Sequence, residues 1–150
     1  MTTDLLLAIV HHLVFFALIA ILAAETVLVR PGLAGDALRR VGRLDSAYGG
    51  LAGLMLIVGF SRVFFGLKGW EFYIYNWVFW AKIACFLLVG ALSGPLTVRV
   101  LKWNQALRTN PAHVVPDREI SAAQVWLRAE GAVFLLIPVF AAAMARGYGI

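Results

Sequence analysis

Two adjacent histidines, His11 and His12, stand inside an apolar run from Leu5 to Val29. Lipid offers an imidazole no hydrogen-bond partner, so a histidine at such a position marks a functional site by default. Its nitrogens can ligate a metal or relay a proton. Arg62 and Lys82 lie in two further apolar runs, and Glu25 and Glu130 lie in the first and last. A buried cation needs an anion. An imidazole with two cations in apolar surroundings suits a haem: the nitrogen ligates the iron and the cations take the propionates. His12 is the expected iron ligand, with His11, Arg62 and Lys82 completing the cofactor-binding set; a plain interhelix hydrogen bond is the other use for the histidines. Consecutive helix positions point about 100° apart, so the two rings cannot flank one iron. The sixth position therefore stays open or is filled from elsewhere, including a second protomer. Absence of a Cys-x-x-Cys-His motif excludes covalent attachment, leaving haem b. Glu25 and Glu130 are the expected proton-handling groups, and Glu25–Arg128 and Glu130–Arg30 the expected structural ion pairs.

The elements that must position these residues are membrane spans. The chain has 150 residues, 62% of them apolar and 14% charged. Soluble domains carry roughly 25% charged residues. Four runs approach or exceed the ~20 residues needed to cross a bilayer. They predict helices at about 5–29, 46–67, 74–98 and 122–145, forming one all-α transmembrane domain over residues 1–150. The first run has Asp4 and no basic residue on its flank, so it reads as a helix, not a signal peptide. Pro31-Gly32 stops the first helix, while Asn110-Pro111 and Pro116 stop any helix running on from Trp103. Ser121 is a candidate cap for the last helix and Pro138 a candidate kink.

Arg30, Arg39, Arg40 and Arg43 fall in the first connection, and Arg99, Lys102, Arg108 and Arg118 in the third. The second connection has Lys68 and the tail Arg146. The positive-inside rule puts the first and third connections in the cytoplasm and both termini in the periplasm. Trp70, Tyr73, Tyr75, Trp77 and Trp80 read as an interfacial belt. The net charge of +5 serves this orientation, and no nucleic-acid recognition motif accompanies it. His113 reads as a solvated loop residue. Cys85 is a small packing residue. Gly90 and Gly94 make a small-xxx-small pattern suited to close helix packing within the chain or in a homo-oligomer.

His11-His12, Ala24-Glu25 and the ending from Met144 to Gly149 resemble a bacterial family of uncharacterised membrane proteins over nearly the whole chain. That resemblance implies four transmembrane helices in the inner membrane and no stated activity. A more distant likeness is to HemJ-type protoporphyrinogen oxidases and the membrane domain of CopD-type copper proteins. The comparable residues are His12, Trp80 with Lys82, and Arg128 with Glu130, at spacings offset by one. HemJ-type proteins carry a further histidine after the lysine, where this chain has Gly90, Ser93 and Gly94.

These readings lead to a haem b-binding membrane protein, with oxidoreductase activity on a porphyrin or on a membrane electron carrier such as quinone. Two alternatives compete. A copper or small-solute permease would use the histidines as metal ligands, but the chain lacks the Met- and Cys-rich clusters of a soft Cu(I) path. A non-catalytic scaffold or assembly subunit would use its polar residues as interhelix glue. No Walker loop, nucleophile elbow or dinucleotide fingerprint occurs.

Overall fold

A computed structural model describes residues 2–66 and 69–149. Five helices follow one another: α1 Thr2–Leu28, α2 Gly35–Phe65, α3 Gly69–Ile74, α4 Trp77–Thr109 and α5 Asp117–Ala145. All but α3 are long and apolar enough to cross a membrane. No strand occurs among the described residues, only an isolated bridge between Ala34 and Val114. The protein is therefore an all-α membrane bundle, in which α1 packs chiefly on α2 and α4 on α5.

Two spans reach well beyond the apolar runs. Helix α2 begins at Gly35, not Ser46, and α4 runs to Thr109, not Val98. The extensions are amphipathic. Leu38, Val41 and Asp45 face inward while Arg39, Arg40 and Arg43 face out. Leu96, Val100, Trp103 and Leu107 repeat the stripe on α4. That three- and four-residue spacing buries one helix face in any solvent. The 31 residues of α2 rise about 46 Å, against ~30 Å of hydrocarbon. The arginine-rich ends thus stand clear of the hydrocarbon, at the level of the headgroups and beyond. The expected end of the second helix at Leu67, and Lys68 after it, lie outside the described residues.

The arginine-rich end is tied by its two short loops. Gly32 and Gly35 adopt positive φ of 84° and 50°, a region open to glycine without strain. Val115 N donates to Leu33 O at 3.0 Å. Gln124 Nε2 reaches from α5 to Val29 O at 3.0 Å and satisfies a carbonyl at the end of α1. Trp103 Nε1 donates to Glu119. Ser121 does not cap the last helix, which starts at Asp117 after Pro116; its hydroxyl donates back to Asp117 O. Helix α5 continues through Pro138. His113 is half-buried at this junction, with its Nε2 out of solvent and unpartnered, so it is not the solvated loop residue expected.

The main core holds Leu18, Leu38, Leu96, Trp103, Leu127 and Phe134. A smaller cluster of Val63, Tyr73 and Phe79 closes the opposite end. Asn76, fully buried, caps α4 by accepting from Val78 N and Phe79 N, at 2.9 and 3.3 Å. Its amide also donates to Tyr148 O at 3.2 Å, holding the C-terminal turn against α4. Leu5, Leu13, Phe16, Ile57, Leu87 and Val139 are among the many large apolar side chains facing outward. A water-facing surface rarely tolerates so many; a lipid-facing one gains nothing by hiding them.

Candidate functional site

Polar side chains gather at two levels of the bundle. At the end opposite the arginines, α1, α2 and α4 bring together His11, Arg62 and Lys82, close enough for their charges to act on one another. His11 turns inward against Gly59, where a Cβ would sit 3.8 Å from its Cε1. Its Nδ1 is buried without a hydrogen-bond partner among the described residues, and so is Nε of Arg62. The Lys82 ammonium lies over the Phe79 ring, 5.3 Å from its centroid, a cation–π geometry. No carboxylate pairs with Arg62 or Lys82 among the described residues. Tyr73 closes the group, packed edge-on to Phe79 at 5.4 Å. Burial pushes its phenol above the usual range; the Arg62 charge opposes this and Asp4 reinforces it.

His12 stands apart from that group. It is exposed, and its Nδ1 lies 2.6 Å from Ala8 O, one turn back along the helix. The two imidazoles are 6.0 Å apart and nearly perpendicular. One of the adjacent pair therefore faces the protein interior and the other the bilayer. Of the expected aromatic belt, Trp70, Tyr75, Trp77 and Trp80 face outward, whereas Tyr73 is part of the buried site.

The second level lies toward the arginine-rich end. Glu25, Asp45 and Glu130 are 2%, 5% and 1% exposed, and Glu25 senses the charges of both other acids. Thr97 donates its hydroxyl to Asp45 at 2.9 Å. Tyr48, buried beside Glu130, interacts with it electrostatically without reaching hydrogen-bond geometry. Oε1 of Glu25 and both carboxyl oxygens of Glu130 have no hydrogen-bond partner among the described residues. The expected Glu25–Arg128 and Glu130–Arg30 pairs do not form. Arg128 precedes Glu130 by two positions, so it points about 200° around the helix and is exposed; Arg30 follows the end of α1 and is exposed too.

Tyr48 and Thr97 were not singled out in the sequence. Tyr48 was legible as the next member of the inward stripe Leu38, Val41, Asp45. Thr97 is an unremarkable hydroxyl until its partner is known. The two levels are distinct: fourteen residues of α1 separate His11 from Glu25, about 21 Å along the axis. A cleft of about 390 Å³ opens between α2 and α4, with Leu18 and Phe134 among its walls and Tyr48 and Thr97 at its polar end. No three His, Cys, Asp or Glu side chains converge to hold a metal ion among the described residues.

No curated protein and no solved structure matches this chain. One family model does, described as a predicted membrane protein family, DUF2214, and it spans residues 3–149. The match covers nearly the whole chain, and the protein belongs to that family of membrane proteins of unknown function.

Proposed function

We propose that this protein binds haem b within the membrane, with His11 as the axial ligand and Arg62 and Lys82 as partners for the propionates. One observation carries the reading: a buried imidazole nitrogen with no hydrogen-bond partner and two cations with no carboxylate partner, among the described residues, come together from three helices. Unpartnered polar atoms in a protein interior call for a partner, and an anionic group with a metal centre would supply one. Phe79 and Tyr73 pack edge-on to each other beside this group and keep its surroundings apolar. The expected ligand shifts from His12 to His11 because His12 faces lipid. The distant HemJ-type likeness is drawn on His12 and Lys82, which lie toward this end of the bundle, and it does not choose His11 as the ligand.

Bound haem would supply one-electron chemistry, consistent with an oxidoreductase acting on a porphyrin or a membrane electron carrier. Arg62 and Lys82 would orient the cofactor and neutralise it. Glu25 and Glu130, a long way down α1 and α5, do not touch it and would hold protons near the arginine-rich end. The absorption spectrum of detergent-purified protein tests the reading. A Soret band with sharpened α and β bands on dithionite reduction is the expected result. A featureless visible spectrum, from cells with adequate haem supply, eliminates it.

A permease for a small cation, including the proton, is the second reading. The buried carboxyl set Glu25, Asp45 and Glu130, without a basic partner among the described residues, favours it. Proton or cation flux into vesicles, abolished by Glu130→Gln, would support it over the haem reading.

A further inference from the structure

The groove between α2 and α4 has two chambers that the proposed haem site does not use. The apolar cleft is bordered by Gly49 on α2 and by Gly90 and Gly94 on α4. A Cβ built at any of these three glycines meets nothing within 4 Å. One turn further toward the arginine-rich end lies a second cavity of about 480 Å³, bordered by Arg39, Gly42, Arg43, Ser46, Asn104 and Arg108. Ser46 and Gly49 are one turn apart on α2, and Leu101 and Val98 one turn apart on α4, so the chambers adjoin on the same pair of helices. Arg39 is engaged by Asp36 at 2.7 Å. Arg43 and Arg108 have no carboxylate partner among the described residues.

Charge and apolar character are thus arranged along one groove in the order of a lipid molecule. From Arg108 to Gly94 is fourteen residues of α4, about 21 Å, close to the ~20–22 Å that one leaflet spans with its headgroup region. Arginine presents a planar fork of donors that matches phosphate. The glycines leave room for a chain where larger residues would seal the helices together.

We infer that this groove is a binding site for an acidic phospholipid, its phosphate between Arg43 and Arg108 and one acyl chain in the glycine-bordered cleft. The chain tip lies against Leu18 and Phe134, below Tyr48 and Thr97. The site is independent of the haem reading and stands whichever way that test falls.

Native mass spectrometry of the full chain in neutral detergent tests it. The probes are phosphatidylglycerol, phosphatidylcholine with the same chains, and inorganic phosphate. Wild type is expected to retain phosphatidylglycerol roughly tenfold better than phosphatidylcholine. Arg43→Gln combined with Arg108→Gln should reduce that preference to within about twofold. Gly90→Leu, which has open space around it, should lower retention of both lipids with helix content unchanged by circular dichroism. Equal retention of the two lipids by wild type overturns the proposal. So does displacement of phosphatidylglycerol by millimolar inorganic phosphate, which would mark a free-phosphate site. Undiminished lipid retention in Gly90→Leu, with a change in the monomer–dimer ratio, also overturns it and would assign the groove to a second copy of the chain.

Discussion

Neighbouring residues on a transmembrane helix meet different solvents, and that sorts the chemistry here. His11 and His12 stood out in the sequence as candidates because imidazoles are rare in lipid. Which of them turns inward was not legible, since α1 is apolar on every side and the pattern carries no facing information. Arg128 and Glu130 show the same limit: both residue types were visible, and their opposite directions follow only from which face of α5 is buried. Because Arg128 is exposed and unpaired among the described residues, Arg128→Ala should change thermal stability in detergent by no more than about 0.5 kcal/mol. A loss several times larger would restore the ion pair that the structure lacks. Asn76 is the converse case. It caps α4 and holds the C-terminal turn from a fully buried position. Asn76→Ala should lower stability by about 1–2 kcal/mol, read as a drop in Tm, and expose the tail after Ala145 to protease.

At the scale of elements, the four spans were readable from length and hydropathy, and their true ends were not. Hydropathy falls at the arginines, yet Leu38, Val41, Val100, Trp103 and Leu107 keep a helical stripe going past them. The signal lay in spacing, which an average over a window erases. The short helix α3 has too few residues to register by periodicity. Helices α2 and α4 approach closely at Gly42, where a Cβ would fall 2.6 Å from Asn104 Nδ2. That amide is itself bonded to Val100 O at 3.0 Å. Deeper in the membrane the same helices stand apart at Gly49, Gly90 and Gly94. Gly42→Leu should therefore force the crossing open and destabilise the protein by about 1–3 kcal/mol. Gly94→Leu, at an open position, should leave Tm nearly unchanged. Equal losses at both sites would contradict this splayed packing.

Over the whole molecule, the bundle separates its charges: Arg62 and Lys82 without a carboxylate ion pair among the described residues at one level, buried carboxylic acids without a basic partner at the other, and an arginine collar beyond. Four spans put both termini on one side and the loops around Gly35 and Ala112 on the other. With Cys85 replaced by Ala, a single cysteine at Ala112 should react with an impermeant maleimide only from the cytoplasmic side, and one at Arg146 only from the opposite side. Reversed labelling would reject the orientation that the arginines imply. Such segregation was only half visible in the sequence, where the inner acids had arginines near them in number but not in direction. The haem ligand belongs to the other level, and visible spectra of purified wild type, His11→Ala and His12→Ala identify it. A reducible b-type spectrum is expected in wild type and His12→Ala, with its loss in folded His11→Ala. A spectrum that survives His11→Ala and disappears in His12→Ala would contradict His11 as the ligand.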